Sequence, residues 1–163
     1  MGETTVTRLI KAPRRAVYEA LLDREAVAQW LHPDGMSCRV QAFEPREGGG
    51  FRISLTYQEP GLAAAGKTEG ATDTFEGRFV RLVPDEQVVE AIEFESADTS
   101  FAGTMTLTVS LEDAEGGTRL TWHHANVPPG IRPEDNEKGT RMTLDNLARL
   151  LEEGERWRSR SNG

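Results

Sequence analysis

The sequence predicts an α+β protein in which two short helices, a run of antiparallel strands and one long C-terminal helix follow one another. Two observations predict this class. Apolar residues recur at helical spacing near both ends of the chain, whereas from Ser37 to Val127 they alternate with polar residues. The chain has 163 residues, 37% of them hydrophobic, which suffices for one core. We therefore expect a single domain over residues 1–163.

Two short helices are predicted after the first strand. Pro13 suits the first position of a helix, because its missing N–H would have no intrahelical partner there, and the apolar spacing extends this helix over 13–22. Asp23 can cap a second short helix, which contains Trp30 and ends at 32–35.

The alternating segments predict the central strands. Residues 51–58, 88–94 and 104–111 place apolar side chains at every second position, which is typical of strands with one buried face. The glycine-containing turn at 113–117 leads into 120–124 on the same phase, so these segments form a hairpin.

Two segments depart from this alternation. Residues 75–83 change phase, and a β-bulge near Phe79 would reconcile the two phases. Residues 59–71 are rich in glycine and alanine and long for a hairpin connection, so we expect them to be mobile.

The long C-terminal helix is predicted from near Pro133 to about Glu153. Acidic residues near Pro133 favour a helix N-terminus. One arc of this helix is apolar and should pack against the sheet. Its members are Thr140, Thr143, Leu144, Leu147, Ala148, Leu150 and Leu151. Residues 155–163 lack a continuing stripe, and we expect them to form a frayed tail.

Charge and composition exclude several classes of protein. The net charge of -8 opposes binding to nucleic acid, and no apolar run approaches the ~20 residues that a membrane helix needs. The N-terminus lacks the pattern of a secretory signal, and the lone Cys38 cannot form an internal disulfide. These features favour a cytoplasmic protein.

Several motifs are similar to those of a known superfamily. They are Arg8-Leu9-Ile10-Lys11-Ala12-Pro13, Arg46-Glu47-Gly48-Gly49-Gly50-Phe51, Leu82-Val83-Pro84-Asp85-Glu86-Gln87-Val88, Gly116-Gly117-Thr118-Arg119-Leu120-Thr121 and Leu144-Asp145-Asn146-Leu147. The chain resembles the SRPBCC superfamily and, within it, the branch named for homologues of the activator of the heat-shock-protein-90 ATPase. This resemblance implies the START-like helix-grip fold, also described as birch-pollen-allergen-like, in which a curved sheet wraps the final helix. The family name implies a stress response.

One position departs from the family pattern. The family commonly has Gly-Trp at the start of the last helix, whereas this chain has Gly139-Thr140. Since Thr140 lies within the apolar arc, a large ring is replaced by a small side chain, and space should open beside it.

A curved sheet closed by a helix can hold a cavity for a small hydrophobic or aromatic molecule, such as a lipid, sterol or polyketide. The inward phases and the helix arc supply the candidate ligand-binding residues. These are Trp30, Phe51, Ile53, Tyr57, Phe75, Phe79, Glu90, Ile92, Phe94, Met105, Leu107, Trp122, His124, Thr140, Thr143 and Leu147. The alternative is that the apolar members simply fill the core.

Glu90 is the most informative single position. Strict alternation puts its carboxyl on the same face as Val88 and Ile92, where burial would raise its pKa and let it orient a ligand or act as a general acid. Alternatively, Glu90 lies near the rim of the sheet or at a bulge, and its carboxylate reaches water.

The histidines do not predict a metal site. His123 and His124 are neighbours on a strand and point to opposite faces, so both cannot readily ligate one ion. On the phase of Trp122, His124 faces inward as a polar cavity group. No nucleophile motif is visible either, so we expect no metal, no cofactor and no catalytic residue.

Two other functions stay open at this point. The family name implies a co-chaperone that stimulates a heat-shock ATPase, with a chaperone as its partner. The fold also occurs in enzymes of the cyclase or aromatase kind, which would use Glu90 and His124 for proton transfer. Exposed strand edges would allow a monomer or a weak homodimer.

Overall fold

A computed structural model describes residues 2–32, 36–57 and 72–153 of the chain. These residues form seven strands and three α-helices in the predicted order. The strands are β1 (Gly2–Ile10), β2 (Met36–Phe43), β3 (Gly50–Tyr57), β4 (Thr72–Val83), β5 (Gln87–Phe94), β6 (Met105–Ala114) and β7 (Gly117–Val127). The helices are α1 (Arg14–Leu21), α2 (Arg24–Trp30) and α3 (Pro133–Glu152), and a short 3-10 helix covers Thr99–Phe101.

All seven strands pair in one antiparallel sheet with the order β1-β7-β6-β5-β4-β3-β2. Consecutive strands are neighbours from β2 to β7, whereas β1 pairs with β7 at the far end of the order. The sheet curves around the long helix α3, and the two short helices α1 and α2 follow β1. The prediction of an α+β helix-grip fold is confirmed.

The starts of α2 and α3 follow the chemistry that predicted them, and the start of α1 differs by one residue. Pro13 is extended and forms the N-cap, so α1 begins one residue later than expected. The side chain of Asp23 accepts a hydrogen bond from the backbone N–H of Ala26 at 3.0 Å and caps α2. The missing N–H of Pro133 explains why α3 begins there.

The predicted apolar face of α3 and the predicted bulge in β4 are also present. Six residues of the α3 arc are buried, and Leu150 packs against the core while partly exposed. Full burial of a leucine such as Leu144 or Leu147 contributes about 2 kcal/mol to stability, so this face holds the helix on the sheet. The expected bulge in β4 lies between Phe79 and Arg81, opposite Glu90 and Val89 of β5.

Two expectations fall on residues outside the described part of the chain. These are the mobile stretch 59–71 and the frayed tail 155–163. Within the described residues, no helix has both the length and the apolar composition needed to span a bilayer.

Candidate functional site

A cavity of about 640 Å³ lies between the inner face of the sheet and α3, with α2 contributing to its wall. Thirteen of the candidate ligand-binding residues line it. They are Trp30, Phe51, Ile53, Phe75, Glu90, Ile92, Phe94, Met105, Leu107, Trp122, His124, Thr140 and Thr143. Most of the lining is apolar, and the polar groups are few and separate, as in sites that hold small organic molecules.

Three other candidates are placed differently. Phe79 is fully buried, and its ring packs against Phe43 and Phe51 with centroids 5.5 and 5.2 Å away, so it belongs to the core and not to the cavity wall. Leu147 is likewise fully buried, one turn beyond Thr143 on α3. Tyr57 ends β3, and its side chain lies outside the described part of the structure.

Aromatic rings form much of the cavity wall. Phe75 packs edge-on against Phe51 and Phe94, with ring centroids 6.5 and 6.1 Å apart. The rings of Trp30 and Trp122 are perpendicular at 5.9 Å, and Trp30 donates its indole N–H to the carbonyl of Ala20 at 3.0 Å. This interlocking fixes the wall, because edge-to-face ring pairs stabilise one mutual orientation.

Glu90 faces the cavity, as alternation along β5 predicted. It pairs with Phe79 across the bulged strand and with Leu107 on β6. Burial raises the pKa of its carboxyl to about 7, and no hydrogen bond or ion pair joins it to another described residue. Glu90 is nevertheless partly exposed, so its carboxyl keeps some access to water through the cavity.

His124 faces the same cavity from β7. The Asn136 side-chain amide lies 2.9 Å from Nδ1 of His124 and donates to the Thr4 hydroxyl at 2.7 Å. With the amide as donor, Nδ1 accepts, and the ring proton lies on Nε2. Burial lowers the pKa of His124 to about 4, with a smaller contribution from the nearby His123, so the ring is neutral at physiological pH.

Glu90 and His124 belong to one row across the sheet. Glu90 is opposite Leu107, and Leu107 is opposite His124. Two strand spacings therefore separate their backbones, about 10 Å in all. A molecule in the cavity can lie over Leu107 with a polar group of the protein at either side.

Sequence reasoning missed four polar residues of this cavity, two of which, Asp73 and Asn136, are not exposed. Asp73 on β4 lines it and is only 4% exposed. It shares its parity with Phe75, so extending the alternation by one pair would have found it. Asn136 also lines the cavity and precedes Thr140 by one helical turn, a spacing that places both on the same face of α3.

Thr140 lines the cavity where the family pattern has tryptophan. Its hydroxyl donates to the backbone carbonyl of Asn136 at 2.8 Å, within the helix. The hydroxyl is therefore satisfied, and a small side chain faces the cavity at this position, as expected.

The outer face shows why the adjacent histidines do not act together. His123 contacts Thr5 at 2.8 Å and Glu3 at 3.2 Å, on the opposite side of the sheet from His124. Within the described ranges, no group of three or more histidine, cysteine or acidic side chains is placed to hold a metal ion. Burial raises the pKa of the Cys38 thiol to about 12, which keeps it protonated and a poor nucleophile.

Comparison with solved structures finds the same fold in several other proteins. A protein from Chromobacterium violaceum is 31% identical with a TM-score of 0.82, and the match covers 92% of this chain and 96% of that one. The AHSA1 protein from Silicibacter pomeroyi is 17% identical with a TM-score of 0.75, over 92% of this chain and 97% of that one. A protein from Arthrobacter aurescens is 17% identical with a TM-score of 0.76, over 93% and 86% of the two chains. A search of curated proteins found no match.

The family comparison agrees with the motifs in the sequence. The model of the family described as Activator of Hsp90 ATPase homolog 1-like protein matches residues 11–152, which include every helix and all but the first of the seven strands. The chain therefore belongs to the family of Activator of Hsp90 ATPase homolog 1-like proteins.

Proposed function

We propose that this protein binds a small apolar or aromatic molecule in the cavity between the sheet and α3. The observation that carries the proposal is the Glu90 carboxyl, which faces an aromatic-lined space and has no partner among the described residues. Burial of an unpaired carboxyl destabilises a fold, and a ligand that supplies a hydrogen-bond partner would offset that cost.

The size and lining of the cavity support this function. Its volume of about 640 Å³ lies within the roughly 300–1,000 Å³ of small-molecule sites. The aromatic side chains supply most of the contact area, while Glu90, His124 and Thr143 supply polar contacts at separate points. Such a division lets the apolar surface determine affinity and the polar groups determine orientation.

Thr140→Trp tests the proposal, because the larger ring would fill the cavity from α3. We expect the wild-type protein to bind Nile red, an uncharged apolar dye, with a blue shift of its emission. Thr140→Trp should weaken this binding at least tenfold. The measurement is a fluorescence titration, with circular dichroism to verify folding.

Arg141→Trp is the matched control, because Arg141 is the next residue on α3 and is exposed. It introduces the same ring outside the cavity and should bind the dye like the wild type. Absence of dye binding to the wild type, or equal loss in both variants, would contradict the proposal.

The family description favours a second candidate function, stimulation of an Hsp90-type ATPase. This activity would use an exposed surface of the protein and would not require the cavity. A coupled ATPase assay with the chaperone of the same cell tests it. Stimulation that is unchanged in Thr140→Trp would assign the activity to the surface, and absence of stimulation would dismiss it.

The cytoplasm is the compartment that agrees with either function. The single cysteine, Cys38, is a free thiol, which suits a reducing environment.

A further inference from the structure

The charges that face the cavity are mainly negative. Asp73 and Glu90 approach from β4 and β5, and α3 contributes Asp135 and Lys138. Asp135 and Lys138 are exposed and three residues apart on the helix, and together they add no net charge to the lining. Because His124 is neutral, the lining beside Glu90 supplies no basic partner for its carboxyl among the described residues.

The aromatic wall of the cavity also favours a positively charged ligand. Six tryptophan and phenylalanine rings line the cavity, those of Trp30, Phe43, Phe51, Phe75, Phe94 and Trp122. The faces of such rings carry negative partial charge and attract ammonium groups, with greater effect where water is excluded. A carboxyl beside aromatic rings is thus suited to a cation and opposes an anion.

This arrangement discriminates among the apolar ligands that the cavity could hold. A fatty acid or another carboxylate that placed its negative charge near Glu90 would gain no basic partner there among the described residues. A neutral alcohol could donate one hydrogen bond to Glu90. A protonated amine would donate a charge-assisted hydrogen bond, which is roughly twice as strong.

We propose that the ligand is an apolar amine, bound with its ammonium group against the Glu90 carboxylate and its body among the aromatic rings. This inference rests on the proposed function, since it specifies the chemical class of the molecule in the same cavity.

The ionisation of Glu90 makes binding depend on pH. With a pKa of about 7 in the free protein, the carboxyl is about one-tenth ionised at pH 6 and about nine-tenths ionised at pH 8. Since an aliphatic amine stays protonated over this range, its affinity should rise about tenfold from pH 6 to pH 8. A neutral alcohol with the same body should not show this rise.

The test uses three probes that share one apolar body: 2-(2-naphthyl)ethylamine, 2-(2-naphthyl)ethanol and 2-naphthylacetate. Each is titrated against Nile red bound to the wild-type protein at pH 8. We expect the amine to bind at least tenfold more tightly than the alcohol and the acetate to bind most weakly. Glu90→Gln should abolish the preference for the amine while retaining binding of the alcohol.

Glu93→Gln is the matched control, since Glu93 lies on the same strand but is exposed and accepts a hydrogen bond from Thr104 at 2.9 Å. It should keep the preference for the amine.

Equal or tighter binding of the alcohol or acetate, or failure of all three to displace bound Nile red, would overturn the inference but not the proposed function. Failure of Nile red itself to bind would contradict the proposed function. If Glu90→Gln does not fold, the pH series on the wild type decides, and an amine affinity independent of pH would refute the inference.

Discussion

Asn136 links three elements of the fold at the level of a single side chain. Its amide contacts the Thr4 hydroxyl on β1 and Nδ1 of His124 on β7, while its own backbone belongs to α3. Thr4 and His124 are both buried, so each depends on this amide for a polar contact. The contact fixes the ring orientation of His124 in the cavity.

Removal of this amide should therefore cost stability. Asn136→Ala leaves the Thr4 hydroxyl and the His124 nitrogen without this partner, and we expect a loss of about 1–3 kcal/mol in the free energy of unfolding. Urea denaturation measures the change. Lys138→Ala, at an exposed position of the same helix, should change stability by less than about 0.5 kcal/mol. Equal effects of the two variants would show that the amide contacts contribute little.

The sequence predicted which side chains point to the inner face of the sheet, but it did not predict which of them reach the cavity. Alternation assigned Glu90, Ile92 and Phe94 to the inner face, because successive side chains on a strand point to opposite sides. The same rule cannot separate a wall residue from a core residue. Phe79 and Leu147 therefore had the right orientation but proved to be packed away from the cavity.

At the scale of elements, strand β4 depends on the absence of a side chain at Gly77. This residue lies between Phe75 and Phe79 on the inner parity of the strand. A Cβ atom there would lie 2.2 Å from the carbonyl oxygen of Ala91 and 2.7 Å from Cζ of Phe51. The Phe51 ring and strand β5 can approach only because the position is glycine.

Gly77→Ala should accordingly destabilise the protein. The added methyl group meets backbone and a packed ring, so we expect a loss of at least about 1–3 kcal/mol, measured by thermal or urea unfolding. Gly50→Ala is the control, because a Cβ at that position on β3 would meet its nearest atom at an ordinary 3.5 Å. A larger loss for Gly50→Ala than for Gly77→Ala would contradict this account of the packing.

The elements themselves were largely predictable because their signals are local. The Asp23 cap, the alternation of β6 and the phase change at the β4 bulge each depend on a few neighbouring residues. Strand order is different, because the pairing of β1 with β7 joins distant parts of the chain. The resemblance to a known family implied the fold but did not specify this pairing, and local periodicity contains no information about it.

At the scale of the whole molecule, Glu90 and His124 make opposite contributions to the pH dependence of stability. The pKa of Glu90 rises from 4.5 to about 7 on folding, so its stabilising contribution is complete below pH 4.5 and lost as the pH rises through 7. The pKa of His124 falls from 6.5 to about 4, so its contribution is complete above pH 6.5 and lost as the pH falls through 4. Between pH 4.5 and 6.5 the two effects oppose each other.

Single substitutions should separate these contributions. In Glu90→Gln only the histidine effect remains, and the variant should lose about 2–3 kcal/mol relative to the wild type as the pH falls from 6.5 to 4.5. In His124→Gln only the carboxyl effect remains. Over the same pH interval this variant should gain about 2–3 kcal/mol in the free energy of unfolding relative to the wild type. Urea denaturation at several pH values measures both differences. Curves parallel to that of the wild type would show that neither group is desolvated as the structure indicates.

The position of β1 at the far end of the sheet order has a consequence for folding. Its partner β7 follows it by more than a hundred residues, since Ile10 pairs with Thr118 and Gly2 with Val127. At a synthesis rate of about 5–20 residues per second, β1 leaves the ribosome roughly 5–25 seconds before β7. The strands from β2 to β6 can pair during this interval, each with a neighbour already made. We therefore expect β1 to join the sheet after the strands from β2 to β6 have paired, because its pairing with β7 is long-range and slow.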